Sequence, residues 1–402
     1  MGANELLAEI EAIGRTAAGG YTRTAWDAPT MELRDWFAGQ ASALGLELDE
    51  DGNGNQIAWW TGRGWGDGDD ALLIGSHLDS VYSGGPLDGP LGVASALAAV
   101  AELKASGWQP PRPIAVANFT DEEGARFGVA CIGSRLASGA MAADAALALR
   151  DQDGNSLAEV MAARGRDPRA AGPAAWLHRI GRFVELHVEQ GRWLAPNEAA
   201  VGVATAIWPH GRYRLDFCGQ GNHAGATAMA DRHDPMLTYA ATVLAARELA
   251  VGGGQRATMG RVQVDPGSTN SIPSRVTAWL DARAETEPAL DALVSALIAR
   301  AEQAASGDGV SMEFTAESTT PAVSFDAGLR DRIAALIDAP VLATGAGHDA
   351  GILAAVLPTA MLFVRNPTGI SHAPEESSTP SDIDAGVAAL TAVVKDLAGE
   401  AR

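Results

Sequence analysis

Cysteine is almost missing from this chain of 402 residues, which contains only Cys131 and Cys218. The two lie 87 positions apart and form no C-x-x-C motif. The sequence therefore offers neither a disulfide framework nor a cysteine-based zinc site. We expect two ordinary buried thiols in a reducing compartment.

Positive charge is also scarce. The chain has 29 lysines and arginines against 50 aspartates and glutamates, so its formal net charge is −21. A surface of that sign repels nucleic-acid phosphates and anionic lipid headgroups. We therefore expect neither a nucleic acid nor a membrane as a partner, and we predict a small molecule instead.

Long apolar runs are missing as well. No run reaches the roughly 18 residues of a membrane span, because glycine, alanine and charged residues interrupt each candidate. Residues 1–13 form an acidic amphipathic pattern without the basic start and apolar centre of a signal peptide. We expect a cytoplasmic protein.

The length predicts two domains, since one domain usually takes roughly 100–200 residues. In residues 1–207 and 321–402, short strand-like runs alternate with helical runs, which is typical of an α/β domain with a mainly parallel sheet. The glycine-rich segment 62–70 is expected to form a hairpin tip. Predicted strands cover 71–75, 113–119, 182–186 and 359–364, and predicted helices cover 92–106 and 382–398.

Residues 208–320 have a different texture, in the order strand, helix, strand, strand, helix, strand. This is the order of a four-stranded sheet with two helices on one face. The predicted elements are 212–218, 235–250, 258–264, 276–283, 288–305 and 311–316. We interpret this segment as a second domain inserted into the first.

Residues that can bind metal follow the predicted strands of the first domain directly. In an open parallel sheet ligands bind outside the carboxyl ends of the strands, so these residues should converge there. Asp88 lies between two such positions in a glycine-rich turn, where its carboxylate is exposed and able to bridge. The predicted ligands are His77, Asp88, Glu123, His187 and His372.

This ligand set indicates the type of metal. Three imidazoles and two carboxylates suit zinc, and manganese, cobalt or nickel could replace it, whereas calcium and magnesium prefer oxygen alone. Five ligands exceed what one tetrahedral zinc takes, so we predict two ions that share Asp88. Two ions about 3.5–4 Å apart can activate a water and polarise a carbonyl.

The segments around these residues resemble a known family, the two-zinc amidohydrolases that include N-carbamoyl-L-amino-acid hydrolases, allantoate amidohydrolases and β-ureidopropionases. That family belongs to the aminoacylase and carboxypeptidase-like metallopeptidases. The matching segments follow the family's order from residue 75 to 376: GSHLDSVYSGGPLDGPLGV, FTDEEGARFG, ELHVEQG, GQGNHAGATAM, TNSIPSRV, LDAR, GAGHDA and GISHAPEE. The resemblance implies a two-metal catalytic domain with an inserted lid and dimerisation domain.

The resemblance also distributes the ligands. It implies that His77 and His187 hold one ion and that Glu123 and His372 hold the other. Asp88 bridges the two ions.

Neighbouring residues receive other roles by the same resemblance. Glu122 is the general base, which takes a proton from the attacking water and passes it to the leaving nitrogen. Asp79 either orients the imidazole of His77 or caps the end of the strand. His187 stands where the peptidase and deacylase branches usually have a carboxylate, and it resembles the ureido-cleaving branch. His348 in GAGHDA is expected at most to support the ligands.

In the inserted domain His223 resembles the lid histidine that stabilises charge on the attacked carbonyl. Asn270 and Arg283 resemble the pair that grips the substrate α-carboxylate, and Gln190 resembles a polar substrate contact. In the family some of these residues reach the site of the partner subunit. The resemblance therefore implies a homodimer with lid closure.

The predicted activity is metal-dependent hydrolysis of the carbamoyl C–N bond of an N-carbamoyl-L-α-amino acid, giving the L-amino acid, ammonia and carbon dioxide. Allantoate amidohydrolase and β-ureidopropionase are alternatives within the family. An N-acyl-amino-acid deacylase or dipeptidase would use the same metals and base, but His187 disfavours both. A non-catalytic metal-dependent binding protein is disfavoured by the presence of Glu122.

Overall fold

The computed structural model describes residues 1–61 and 70–399, and the chain divides into two compact units. Unit 1 consists of Met1–Thr205 and Ser324–Arg402, and unit 2 consists of Ala206–Val323. The predicted insert, 208–320, falls within unit 2. The predicted hairpin tip at 62–70 lies outside the described residues except for Asp70.

The elements, in chain order, are as follows. The strands are β1 (Glu47–Glu50), β2 (Gln56–Trp60), β3 (Ala71–His77), β4 (Ile114–Phe119), β5 (Ile180–Val188), β6 (Val201–Ile207), β7 (His210–Cys218), β8 (Asn222–His223), β9 (Arg256–Asp265), β10 (Ser271–Ile272), β11 (Arg275–Arg283), β12 (Ser311–Thr320), β13 (Val323–Ser324), β14 (Val341–Thr344) and β15 (Thr359–Val364). The α-helices are α1 (Ala3–Glu9), α2 (Ala28–Ala43), α3 (Pro90–Ala105), α4 (Ile132–Ser138), α5 (Ala143–Leu147), α6 (Leu157–Ala163), α7 (Pro235–Gly253), α8 (Glu287–Asp308), α9 (Ala327–Ile337), α10 (Asp349–Leu353) and α11 (Pro380–Ala398).

The described strands of unit 1 form one sheet, in the order β1-β2-β4-β3-β5-β15-β6-β13, with β14 beside β6. Strands β4, β3, β5 and β15 run parallel to one another. They form the buried centre of the sheet, and β4 and β15 are buried along their whole length, as parallel strands covered on both faces usually are. The predicted α/β class with a mainly parallel sheet is confirmed. Strands β1, β2 and β6, which were not predicted, flank this centre in antiparallel pairs.

Helix α3 packs closely against this sheet. It begins at Pro90 directly after Gly89 and is buried over most of its length. At Gly92 it lies against the strands so closely that an added Cβ would be 2.3 Å from the Leu186 carbonyl oxygen and 2.6 Å from the Ser76 Cβ. The turn that precedes α3 is thereby held against the ends of β3 and β5.

Unit 2 contains an antiparallel sheet in the order β12-β7-β11-β9 and a short β8–β10 ladder. Its core contains sheet residues such as Leu215 and Val276 together with Leu293 and Leu297 of α8. Helix α8 is longer than predicted because its ends are capped, by the Thr286 side chain at the start and by Gly309 in the left-handed conformation at the end. The predicted order of strands and helices matches that of the four-stranded sheet and its two helices, whereas the short strands β8 and β10 were not predicted.

Two findings concern the features that the sequence lacks. Cys131 is buried, but Cys218, the last residue of β7, is exposed, so the expectation of two buried thiols is wrong for Cys218. Of the helices in the described ranges, none has both the length and the apolarity needed to cross a membrane.

The same substitution in two helices should have opposite effects on stability. Gly92→Ala should lower the free energy of unfolding by about 1–3 kcal/mol, because the new methyl group would overlap the sheet. Gly39→Ala in α2, where nothing lies within 4 Å of an added Cβ, should raise it by about 0.5–1 kcal/mol through helix propensity. Urea unfolding followed by circular dichroism measures both, and two changes of the same sign would contradict the packing described for α3.

Candidate metal centre

The five predicted ligands come together at the carboxyl ends of the parallel strands. His77 is the last residue of β3, and His187 is the last but one of β5. Glu123 lies in the turn after β4, and His372 lies in the loop after β15. Asp88 approaches from the turn before α3 and is buried, so the expectation of an exposed carboxylate is wrong.

Asp88 lies between two groups of ligand atoms. Its Oδ1 is 3.1 Å from Nε2 of His187 and 3.6 Å from Nε2 of His77. Its Oδ2 is 3.3 Å from Nε2 of His372, which is also 3.3 Å from Oε2 of Glu123. Within each group the ligand atoms are within 4.8 Å of one another. The groups are His77, Asp88 and His187, and Asp88, Glu123 and His372.

The histidine nitrogens are arranged as metal ligands require. Nδ1 of His77 donates to the Asp79 carbonyl (3.1 Å), and Nδ1 of His187 donates to the Val188 carbonyl (2.9 Å). These bonds leave both Nε2 atoms facing Asp88, where each could offer a lone pair to a metal ion. Both Nε2 atoms are buried and have no hydrogen-bond partner among the described residues. Buried imidazole nitrogens without a partner, beside carboxylates, fit divalent cations.

The electrostatics of the cluster also favour cations. Burial alone would lower the pKa of His77, but the carboxylates of Glu122, Asp79 and Asp88 outweigh it and hold that pKa well above its usual range. Burial and the Asp88 charge raise the pKa of Glu123 to about 7. These groups therefore retain protons when no other positive charge is near, and a bound metal ion would displace them.

The turn that carries Glu122 and Glu123 is held by Asp79. The Asp79 carboxylate accepts hydrogen bonds from the backbone N–H of Glu122 (3.2 Å) and of Glu123 (3.1 Å). Its Oδ1 is also 3.5 Å from Nδ1 of His77, whose hydrogen bond goes to the Asp79 backbone carbonyl. The contacts of Asp79 therefore reach both the imidazole and the acidic turn.

Glu122 is placed beside the ligands without joining them. Its Oε2 is 3.6 Å from Nε2 of His77, and its Oε1 accepts a 3.4 Å contact from the Cys131 thiol. It belongs to neither group of ligand atoms found in the described part of the chain. Burial, reinforced by the nearby Asp349, raises the pKa of its carboxyl well above the usual range. A free, buried carboxyl with a raised pKa next to a metal centre can accept and return a proton.

Several contacts of the site were not apparent from the sequence. Gln190 donates from Nε2 to Oδ2 of Asp88 (2.8 Å), and Ser371 Oγ lies 3.0 Å from the same oxygen. His348 is fully buried, with its ring 4.5 Å from the ring of His187. The Glu376 side chain accepts hydrogen bonds from the backbone of the turn that carries Asp88. All four lie within motif segments, but the residue types alone did not show which atoms they meet.

In unit 2 the structure brings His223 and Asn270 together. Nδ1 of His223 accepts from the backbone N–H of Gly225 (3.0 Å) and Ala226 (3.2 Å), so the proton of a neutral imidazole lies on Nε2, available for donation. The Asn270 carbonyl accepts from Ala224 (3.0 Å). His223 and Asn270 line one open pocket of about 540 Å³.

Arg283 is not near that pair. It is the last residue of β11, where it lies opposite His210 and Arg256 and forms an ion pair with Asp281 at 2.7 Å. The loop that carries Asn270 leads into the other end of β11, eight residues away, or roughly 26 Å at the rise of an extended strand. Asn270 and Arg283 of one chain are therefore too far apart to grip the same carboxylate.

Comparisons with known proteins agree with this geometry. The sequence pattern of peptidase family M20/M25/M40 matches residues 73–396. The chain belongs to peptidase family M20/M25/M40.

Within this M20/M25/M40 family, the chain is 37% identical over 401 residues to the N-carbamoyl-L-amino acid amidohydrolase of Geobacillus stearothermophilus, an alignment that covers 98% of this chain and 97% of the relative. It is 32% identical over 403 residues to the allantoate amidohydrolase of Escherichia coli, covering 98% and 97%. The crystal structure of an amidase of the hydantoinase/carbamoylase family from Burkholderia multivorans superimposes with a TM-score of 0.89 at 31% identity, covering 100% of this chain and 98% of that one.

These relatives confirm the resemblance drawn from the motifs. The chain is a hydrolase that acts on amide C–N bonds of small molecules, and the M20 family to which it belongs is metal-dependent. The candidate site for the metal is the cluster around Asp88.

Zinc should stabilise this M20/M25/M40 member, because ions bind the folded cluster far better than the unfolded chain. When the free ion concentration is 100 times the Kd, binding at one site raises the free energy of unfolding by about 2.7 kcal/mol. We expect the Tm to rise with added Zn²⁺ and to fall with a chelator in differential scanning fluorimetry. Asp88→Asn should lose most of this response, whereas His178→Ala, a change at an exposed histidine outside the cluster, should keep it. An equal response in the two variants would contradict the assignment.

Proposed function

We propose that the protein hydrolyses the carbamoyl C–N bond of N-carbamoyl-L-α-amino acids, giving the L-amino acid, ammonia and carbon dioxide. The observation that carries the proposal is the position of His187, whose Nε2 is 3.1 Å from Oδ1 of Asp88. An imidazole there gives the cluster one negative charge fewer than a carboxylate would. The relative from Geobacillus stearothermophilus, aligned over almost the whole chain, carries this activity in its name.

We propose two divalent ions at the cluster, one held by His77 and His187 and the other by Glu123 and His372, with Asp88 shared. Zinc suits these ligands, and manganese, cobalt or nickel could replace it. Two such ions supply Lewis acidity, which makes a water more acidic and polarises the carbamoyl carbonyl. The two groups that share Asp88 support this arrangement.

Glu122 then acts as the general base. Its carboxylate takes a proton from the attacking water, and the same proton goes to the nitrogen of the amino acid as the C–N bond breaks. The carbamic acid that is left then breaks down to ammonia and carbon dioxide. Its burial, its distance of 3.6 Å from the His77 ring nitrogen and its absence from both ligand groups in the described residues support this role.

The proposed roles in unit 2 concern the substrate. We propose that His223 donates from Nε2 to the carbonyl oxygen as negative charge develops there. Asn270 and Arg283 would bind the substrate α-carboxylate, and Gln190 would contact the substrate from unit 1. The separation of Asn270 and Arg283 along one chain supports a substrate held by two subunits.

We therefore propose a homodimer, and the surface of unit 2 supports it. Helix α7 exposes apolar side chains along one side, with Leu244 68% and Val251 73% exposed. Strand β9, which lies beside α7, pairs only with β11 in the described part of the chain, so its other edge is open. An open strand edge next to an apolar helix face is typical of a surface that a second copy covers.

The dimer is tested by one charge on α7. Leu244→Asp should convert the dimer to a monomer in sedimentation velocity and should lower kcat/KM, because a monomer would offer Asn270 and Arg283 to different substrate molecules. Leu336→Asp, at an exposed leucine of α9 in unit 1, is the matched control and should remain dimeric. A monomeric wild type with full activity would refute the proposal.

The reaction is tested with a substrate panel and one conservative change. Ammonia release should be fastest with N-carbamoyl-L-amino acids, slower with allantoate and N-carbamoyl-β-alanine, and slowest with N-acetyl amino acids and dipeptides. Glu122→Gln should lower kcat by roughly 10²–10⁴-fold while metal content stays at the wild-type level. Glu375→Gln, at an exposed acid, should leave kcat unchanged. Full turnover by Glu122→Gln would exclude the proposed base.

Allantoate hydrolysis is the second candidate, because relatives with that name match almost the whole chain at 30–32% identity. Allantoate also offers a ureido group beside a carboxylate, so the same residues would serve it. A higher kcat/KM for allantoate than for every N-carbamoyl-L-amino acid in the panel would select this alternative.

A further inference from the structure

The turn that carries Asp88 is the glycine-rich segment Gly84–Gly89. Two of its glycines lie close to side chains of other segments. An added Cβ on Gly85 would lie 2.4 Å from Oε1 of Glu376, and one on Gly89 would lie 2.4 Å from the His77 ring. The position of the Asp88 carboxylate therefore depends on what the turn packs against.

Glu376 is the residue against which it packs. Its Oε1 accepts the backbone N–H of Leu87 (2.8 Å) and the backbone N–H of Asp88 itself (2.9 Å). The Glu376 side chain is buried, with 2% exposed. Two hydrogen bonds to one carboxylate oxygen fix the two peptide groups that flank Leu87, because charge-assisted bonds are short and directional.

The other carboxylate oxygen of Glu376 reaches the loop that carries His372. Its Oε2 lies 2.9 Å from the Ser371 Oγ, which is itself 3.0 Å from Oδ2 of Asp88. The single hydroxyl proton of Ser371 can be donated to either carboxylate. Glu376 thus joins the turn before α3 to the loop after β15, although the two are almost 300 residues apart in sequence.

We propose that Glu376 is a positioning residue that fixes the Asp88 carboxylate between the two groups of ligands and thereby sets the affinity for the pair of ions. This inference rests on the two-ion site of the proposed function. Glu376 belongs to neither ligand group found among the described residues, so it acts through Asp88 and Ser371 and not by binding metal itself.

Metal titration tests the proposal without any substrate. Metal-free protein is titrated with Co²⁺, followed by calorimetry and by the visible absorbance of the bound ion. We expect two ions per wild-type subunit and a loss of about 10–100-fold in affinity for at least one of them in Glu376→Ala, as is typical when a residue that orients a ligand is removed. Excess Co²⁺ should restore most of the kcat of this variant, because all five ligands are retained, and KM should change little.

Two further variants separate positioning from charge and from structure. Glu376→Gln keeps an oxygen for both N–H groups and places an amide N–H against Ser371 Oγ, so it should bind Co²⁺ nearly as well as the wild type. Glu375→Ala removes an exposed acid next to Glu376 and is the matched control. Ser371→Ala removes only the hydroxyl between Glu376 and Asp88, so it should weaken Co²⁺ binding less than Glu376→Ala does. If Glu376→Ala does not fold, Ser371→Ala is the variant that tests the proposal.

Several outcomes would overturn the proposal. If Glu376→Ala bound Co²⁺ as tightly as the wild type does, the proposal would be refuted. If Glu376→Ala does not fold, the same result for Ser371→Ala would refute it. An equal loss of Co²⁺ affinity in Glu376→Gln and Glu376→Ala would also refute it, because that result would indicate an effect of charge alone. A lower Tm without weaker Co²⁺ binding would refute it as well, because that result would indicate a purely structural role. A wild type that binds fewer than two Co²⁺ would refute the two-ion site itself and, with it, the role of Glu376.

Discussion

The carboxylate of Asp88 has to face two groups of ligands at once, and this requirement constrains the structure on both sides of it. One oxygen faces the rings of His77 and His187, and the other faces His372. Because Asp88 is the only residue common to the two groups of the described chain, a shift of its turn would alter both groups together. The close packing of α3 on the sheet and the hydrogen bonds from Glu376 act on that same turn.

Several acidic side chains are buried around this point, and burying them carries a cost in free energy unless each is paired or hydrogen-bonded. Asp79 is satisfied by backbone N–H groups, and Asp88 accepts a hydrogen bond from the amide of Gln190. Glu122 has the thiol of Cys131, and Glu123 contacts His372. The negative charge that remains is the charge that bound divalent cations would compensate.

The sequence was sufficient for the parts of the site that side-chain type and strand position decide together. His77 and His187 could be placed because each ends a buried run, and the carboxyl ends of parallel strands meet at one edge of the sheet. The pairing of Asn270 with Arg283 came from the family resemblance, and their spacing did not show that an extended strand separates the two side chains within one chain. Contacts such as that of Glu376 with the backbone of Leu87 depend on loop conformation, which periodicity does not encode.

The antiparallel strands of unit 1 show a second limit of prediction from sequence. The residues of β2, QIAWW, are all buried, and a wholly buried run does not reveal its direction or its neighbours in the sheet. Unit 2 was easier to predict, because its strands alternate between buried and exposed residues and its helices have clear caps. The local pattern of apolar and polar residues therefore predicts strands better in a sheet with one covered face than in a sheet covered on both faces.

The position of β15 has a consequence for how the chain is made. This strand lies between β5 and β6 in the sheet, yet about 150 residues, including nearly all of unit 2, separate β6 from β15 along the chain. During synthesis unit 2, a continuous segment, can fold as soon as it has left the ribosome. The sheet of unit 1 meanwhile lacks one of its central strands, and the candidate metal centre lacks His372 until β15 has been made. The candidate centre is therefore completed late in the synthesis of each chain.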